Sequence, residues 1–391
     1  METETLKEQA IAGIEGAREH LIELSNRLYE NPEVGLEEFK AAAWLSADLE
    51  ERGFAVERGI AGLPTAFRAV LDSEREGPTV ALFAEYDALP EVGHGCGHNL
   101  IGAGTIGAAI GVQAVMDQLP GQVQVFGTPA EELVSGGGKV TMLEAGAFSE
   151  TDVCMMFHPW TEAGVVVGGN LAFTAFDFDF KGKPAHAAAD PWNGINALDG
   201  VLLTYMNVNA LRQHIRSDVR MHGIVTNGGE AANIVPERAT AHFMVRAPDR
   251  ERLEDLVLKV KDCARGAALA TGTELSIERF TTIDNLRRNR SLQRIIVDNF
   301  GLLGEDIKER GRQYGSTDFG NVSHRIPGDH FYVATHTPGI NWHSGAVADA
   351  CLSDQAIAGM LVGSKALAMS AIDLLARPEL LEQVRQDFAA D

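Results

Sequence analysis

The chain has 391 residues, 45% hydrophobic and 23% charged; the proportions are ordinary for a globular protein, and the length exceeds one compact core, so two domains are expected. Its 33 Lys and Arg against 55 Asp and Glu leave a net charge of −22, which argues against nucleic acid or an anionic membrane as a partner, since both need clustered basic residues. The N-terminal Met-Glu-Thr-Glu-Thr lacks a basic stretch followed by an apolar core, and the Gly- and Ala-rich run Leu100–Val115 is short for a membrane span, so a cytoplasmic location is expected.

Ile14, Ala17, Leu21, Leu24 and Leu28 recur at helical spacing and predict an amphipathic first helix ended by Asn31-Pro32. A second helix is expected from Leu36 to about Arg52, stopped by Gly53. Thr79–Ala84, Gln122–Phe126 and Val153–Phe157 are short apolar runs suited to buried strands. Helical patterns lie between them, which predicts an α/β unit with a mixed, largely parallel sheet. Near residue 171 the pattern changes. Phe173, Phe176, Phe178 and Phe180 mark a strand with partial alternation, and a helix is expected from about Gly194 to His214. Strands follow at Met221–Thr226 and Arg238–Val245, then a helix capped by Asp249 with Leu253, Leu256, Val257, Val260, Ala264 and Ala267 on its apolar face. This order predicts an inserted α+β sandwich. The expected division is a catalytic domain of residues 1–170 and 288–391 with residues 171–287 inserted as a dimerisation and lid domain. Phe173–Phe180 is expected at a sheet edge, where it could pair with a second copy.

Polar motifs fall just after the predicted strands, where open α/β sheets place ligands. Glu85-Tyr86-Asp87 follows the first, Glu131-Glu132 the second and His158 the third. Cys96 and His98 lie in G-H-G-C-G-H-N, whose glycines leave room for an ion, and thiolate and imidazole both bind first-row metals. A buried Cys and a helix-capping His would explain that segment as well. Of the adjacent Glu131 and Glu132, one can bind metal while the other faces substrate; taken alone, two solvated glutamates is the simpler reading. His158, before Pro159, is by itself a core histidine, and His343 in N-W-H-S-G a surface one. It is their joint occurrence that points to a carboxylate-bridged, two-metal hydrolase site. Cys96, Cys154, Cys263 and Cys351 show no paired spacing and read as free thiols.

Six segments carry a family resemblance over essentially the whole chain: A-E-Y-D-A-L-P from Ala84, G-H-G-C-G-H-N from Gly93, G-T-P-A-E-E from Gly127, G-K-P-A-H-A-A from Gly182, A-N-I-V-P-E from Ala232 and H-S-G from His343. In this order they resemble the metallopeptidase group of aminoacylases, hippurate hydrolases, auxin-conjugate amidohydrolases, aminobenzoyl-glutamate hydrolase and glutamate carboxypeptidase. A-E-Y-D-A-L-P with C-G-H-N-L is most similar to the aminobenzoyl-glutamate hydrolase and β-alanyl-dipeptidase branch. The resemblance implies that Cys96, His98, Glu132, His158 and His343 hold two divalent metal ions, Zn or Mn, and that Glu131 is general base and then acid. It implies that His186 stabilises the oxyanion, in related enzymes from the partner subunit of a homodimer. Asn233 and Arg246 would hold a substrate carboxylate, and Asp87 would orient a ligand from behind it. Asn99 stands where many members have Asp, so a role for that acid is not carried over. The implied activity is hydrolysis of the amide bond of N-acyl amino acids or dipeptide-like substrates. The alternatives are other C–N bond hydrolysis, such as aromatic amine deamination or carbamoyl hydrolysis, and a non-catalytic metal-binding protein, which the intact motif set disfavours.

Overall fold

The apolar runs become the strands of two sheets. In the computed structural model, which describes residues 2–133, 136–311, 313 and 315–390, the strands are β1 (Ala55–Arg58), β2 (Phe67–Asp72), β3 (Thr79–Ala84), β4 (Gln122–Gly127), β5 (Val153–Trp160), β6 (Gly164–Val166), β7 (Ala172–Lys181), β8 (Arg220–Asn227), β9 (Arg238–Ala247), β10 (Glu274–Arg279), β11 (Lys308–Arg310) and β12 (Gly328–Ala334). The larger sheet has the order β1-β2-β4-β3-β5-β12-β6-β11, the smaller β10-β7-β9-β8. In the larger sheet β4, β3, β5 and β12 lie parallel to one another, with antiparallel β2 and β6 on either side. The result is a mixed, largely parallel α/β sheet. β3 is buried along its whole length, as expected of a central strand covered on both faces.

Two helices pack closely over this sheet. His98–Gln113 is buried through Val112 and lies against Asp354–Ala376. Glycines set their approach: a Cβ at Gly107 would fall 2.8 Å from Ser364 Oγ, and one at Gly111 would fall 3.1 Å from the Ala368 Cβ. Asp354–Ala376 is long and apolar enough to cross a membrane by length and composition, yet 83% of its apolar window is buried within the protein. It is therefore a core helix.

The smaller sheet has its own core. Phe176, Phe178 and Phe180 on β7 pack with Phe243 on β9, and with Val201 and Val260 from the helices Ala197–Leu211 and Arg250–Thr271. Asp249 caps the second of these, its Oδ1 accepting from Arg252 N at 2.8 Å. The four cysteines are free thiols.

Three details differ from expectation. β7 is an inner strand, paired to β10 on one side and β9 on the other. Its phenylalanines are all buried, and both of its hydrogen-bonding sides are taken; the edges are β10 and β8, and most residues of β8 are exposed. The first helical pattern is two helices, Glu2–Gly16 and Arg18–Glu30, with a break at Ala17 directly after Gly16. The next helix starts only at Phe39, because Leu36 takes a left-handed φ of 69° that no helix accommodates.

The glycine packing gives a first prediction. Gly104→Ala would drive a methyl into the Phe157 ring, whereas Gly16 has open space around it. Gly104→Ala should cost about 1–3 kcal/mol and Gly16→Ala should be neutral or mildly stabilising. Denaturant midpoints of the two variants check this.

Candidate metal centre and active site

The motifs are held in place by backbone geometry and, at His98, Ala130 and Glu132, by the buried carboxylates of Asp87 and Glu38. Glu85 and Asp87 leave the end of β3 and are buried. Gly97, at φ 79°, turns the chain so that His98 opens a helix, and a Cβ there would press on Pro159 at 3.0 Å. His98 Nδ1 donates to Asp87 O at 2.9 Å and to Asp87 Oδ1 at 3.0 Å. The other Asp87 oxygen, Oδ2, accepts from Glu132 N at 2.9 Å. His158 lies within β5 rather than after it, and its Nδ1 donates to Pro159 O at 2.8 Å. Ala130 and His343 both have left-handed φ values of 59°, strain of the kind concentrated at functional sites. Buried Glu38 supports the first of these, its Oε1 accepting from Ala130 N at 2.7 Å.

The side chains converge. Cys96 Sγ is 3.5 Å from His158 Nε2, and His343 Nε2 is 3.3 Å from Glu132 Oε1. His98 Nε2 is buried with no hydrogen-bond partner; its nearest carboxylate oxygens are Glu85 Oε2 at 3.5 Å and Glu131 Oε2 at 4.0 Å. Three sets, Cys96–His98–His158, Cys96–Glu132–His343 and His98–Glu131–Glu132, each bring one ligand atom per residue within 4.8 Å of the others. Sulfur, imidazole and carboxylate donors with buried, unpaired atoms suit divalent transition-metal ions. A fourth set, Glu85–Glu131–Asp318, converges in the same way, but an ammonium already serves it. Lys139 Nζ lies 2.6 Å from Glu85 Oε1 and 2.5 Å from Asp318 Oδ1.

Burial and the neighbouring Glu85 and Glu132 carboxylates raise the Glu131 pKa well above the carboxylate range. Burial works the same way on Glu132, but His343 and His98 outweigh it and bring that group down to about 2. Burial, reinforced by Glu132, pushes the Cys96 thiol up. Burial would lower His98, yet Cys96 and Asp87 carry it well above its ordinary value. Burial brings His158 down to about 4.

A cavity of about 540 Å³ opens beside the cluster. Glu131, Glu132, His158 and His343 form one wall, Trp160, Tyr332 and Trp342 line another part, and the smaller sheet contributes Phe173, Met244 and Arg246. Arg246 Nη1 donates to Ser316 Oγ at 3.0 Å, and its guanidinium lies 4.9 Å from the Phe173 ring centre. The expected residues therefore divide. Cys96, His98, Glu131, Glu132, His158 and His343 come together, Asp87 stands behind them and Arg246 faces the same cavity. His186 and Asn233 do not join them within one chain. Both are exposed, next to each other through the Ala187 N–H bond to Asn233 O at 3.0 Å. The His186 Nδ1 accepts from Ala188 N and Ala189 N, both at 3.2 Å, leaving Nε2 free to face outward.

Sequence reasoning missed Glu38, Lys139, Asp318 and His330 as site neighbours. A Lys after three glycines and a Glu within an expected helix carry no local sign of burial; Glu85 close to Asp87 was the available signal that more than one carboxylate enters the core.

A cluster of Cys, His and Glu with a buried centre at Cys96 and His98, set at the carboxyl ends of parallel strands with a further glutamate beside it, is the arrangement of a metal-dependent hydrolase. Residues 169–271 match the peptidase dimerisation domain of the M20 peptidases. The chain is 40% identical over 406 residues to the Xaa-Arg dipeptidase of Mus musculus, covering 99% of this chain and 93% of the relative. It is 28% identical to a p-aminobenzoyl-glutamate hydrolase chain of Escherichia coli, over 96% of this chain and 93% of the relative. Among solved structures, a dinuclear metal-binding peptidase of Bacillus subtilis shares the fold with a TM-score of 0.71 at 21% identity, covering 92% of this chain and 99% of the other. An aminobenzoyl-glutamate utilization protein of Klebsiella pneumoniae gives 0.73 at 19%, covering 92% and 97%. The chain belongs to the M20 peptidase family and is a metal-dependent amidohydrolase.

Cys96 and His98, both raised, must lose protons to bind a cation. Metal uptake should therefore release protons and tighten as pH rises through neutrality. Calorimetry of metal binding in buffers of different ionisation enthalpy measures the release; uptake with no net proton release would contradict this electrostatic picture.

Proposed function

We propose that the chain hydrolyses the amide bond of dipeptide-like or N-acyl amino acid substrates that carry a free carboxylate. The observation that carries this reading is one cavity with the half-buried Glu131 beside the proposed ligand cluster and Arg246 facing it from the smaller sheet. The names of the relatives, a dipeptidase and an aminobenzoyl-glutamate hydrolase, support the same substrate class. The proposed ligands are Cys96, His98, Glu132, His158 and His343, for two divalent ions, Zn or Mn. When bound, the ions supply Lewis-acid chemistry toward the amide carbonyl and the attacking water.

The chain's own groups do the rest. Arg246, with its planar fork, takes the substrate carboxylate; Asn233, exposed beside His186 and outside its own chain's cavity, would add a hydrogen bond only from the neighbouring chain of a dimer. A carboxylate oxygen of Glu131 accepts a proton from water as the water oxygen bonds to the carbonyl carbon. The same oxygen then returns that proton to the amide nitrogen as the C–N bond breaks, a role worth roughly 10²–10⁴-fold in rate. Asp87 holds the His98 ring and the Glu132 backbone in register.

His186 is proposed to donate to the developing oxyanion of the neighbouring chain in a homodimer. Support comes from its exposure, from the match of residues 169–271 to a dimerisation domain, and from the open edge of β8. Ile224 and Val225 on β8 and Met206 on the adjoining helix are exposed apolar groups, an uncovered edge suited to strand pairing with a copy. Residues 171–287 would then act as dimerisation and lid unit. The free cysteines suit a cytoplasmic location.

Glu131→Gln should retain metal and fold but lose at least about 10²-fold in kcat, while Glu132→Gln should lose metal as well. Metal analysis and released amine, measured together, separate the two; near wild-type turnover in Glu131→Gln would remove it as the base. The His186 role is tested by co-expressing differently tagged His186→Ala and Glu131→Gln chains and isolating the mixed dimer. One site would be complete, so activity should reach up to about half the wild-type rate per dimer, if the sites act independently. A folded, metal-loaded mixed dimer no better than its parents would place His186 in its own chain's site or outside catalysis.

A further inference from the structure

Two buried side chains at the cavity are not used by the chemistry above. His330 on β12 is 2% exposed, and neither ring nitrogen has a hydrogen-bond partner. Asn170, just before β7, is 4% exposed with Oδ1 unpaired, while its amide engages the Tyr332 hydroxyl. Both residues line the cavity. His330 is not in any of the sets whose ligand atoms converge, among the described residues. Its ring centre lies 5.5 Å from that of His158 and 4.9 Å from that of Tyr332. Buried polar atoms without partners are rare and call for a ligand or ordered water.

The chemistry offered by the pair is specific. His330, buried with neither ring nitrogen partnered, offers one N–H and one lone pair as a neutral imidazole. Asn170 Oδ1 adds a second acceptor. Asp318 lines the same cavity, so an anionic group would meet acceptors and a carboxylate there. The position of Asn170 ties the pair to the carboxylate anchor. Leu171 O, one residue on, accepts from Ser316 Oγ at 2.6 Å, and that Ser316 Oγ accepts from Arg246.

We infer that His330 and Asn170 form a specificity subsite for the side chain of the leaving amino acid, selecting one with N–H donors, an amine, amide or guanidinium, over a carboxylate or an aliphatic chain. This rests on the proposed reading that Arg246 holds the substrate carboxylate, which places the leaving residue beside Asn170. Sites built to hydrogen-bond a substrate group reject analogues that lack it far more strongly than apolar pockets discriminate by size.

The test uses metal-loaded protein and a panel of N-acetyl amino acids and glycyl dipeptides with leaving lysine, glutamine, norleucine and glutamate, assayed by released amine. Lysine and glutamine substrates should exceed norleucine and glutamate by at least roughly tenfold in kcat/KM. His330→Phe and Asn170→Leu should each collapse that ratio, chiefly through KM, with metal content retained. His330→Gln, which keeps a donor and an acceptor, should restore much of it. A wild-type enzyme that cleaves the panel without this preference overturns the subsite, as do variants that lower every substrate in proportion. If no member is cleaved, the amide reading fails instead. The subsite is then judged by calorimetry of free lysine against norleucine on metal-loaded Glu131→Gln protein, where equal binding overturns it. The same titration replaces kinetics for any variant that folds poorly, with the paired substitution at Asn170 read alongside.

Discussion

Both carboxylate oxygens of Asp87 are engaged, Oδ1 by His98 Nδ1 at 3.0 Å and Oδ2 by the Glu132 N–H at 2.9 Å. One buried acid at the end of β3 thereby connects the helix opened by His98 to the loop that follows β4. With its Nδ1 proton committed to Asp87, the His98 ring directs Nε2 toward the cluster, the arrangement by which a rear carboxylate fixes tautomer and orientation of a metal-binding imidazole. The loop side of the same acid sets the backbone from which Glu131 and Glu132 diverge. A parallel sheet provides the setting, since β3, β4 and β5 deliver their ends to one side of the molecule.

Around this point the structure tolerates costs that would be unfavourable elsewhere. Ala130 and His343 hold left-handed backbone, and several carboxylates are buried together. Each cost is met locally. Glu38 accepts from the Ala130 N–H, His343 N donates to Gly95 O at 3.2 Å, and Lys139 is shared between Glu85 and Asp318. The two-sheet architecture adds the last element, because Arg246 reaches the cavity from β9 while the proposed ligands come from the larger sheet and its loops.

Much of this was legible in the residues. Thr79–Ala84 could be placed because all six side chains avoid water, and the Cys, His and Glu motifs because they recur at strand ends in a characteristic order. Asp249 was legible as a cap because its side chain has a local task. What escaped had non-local causes. β7 looked like an edge because an aromatic strand does not announce its neighbours; only the pairing with β10 shows it to be internal. The break at Ala17 escaped because apolar spacing runs through it unchanged. Lys139 and Asp318 are 179 residues apart in sequence, and nothing near either one reveals the other. The distance of His186 and Asn233 from the cavity is likewise a property of the fold that motif order does not encode.

Lys139 has a further consequence. Its ammonium is a tethered counterion: chain connectivity holds it beside the Glu85, Glu131 and Asp318 carboxylates at a constant local concentration, and no chelator can extract it. Dissolved ions come and go with supply, but this charge does not exchange. Part of the carboxylate charge beside the pocket is thus balanced at all times, whether or not the proposed ion positions are filled.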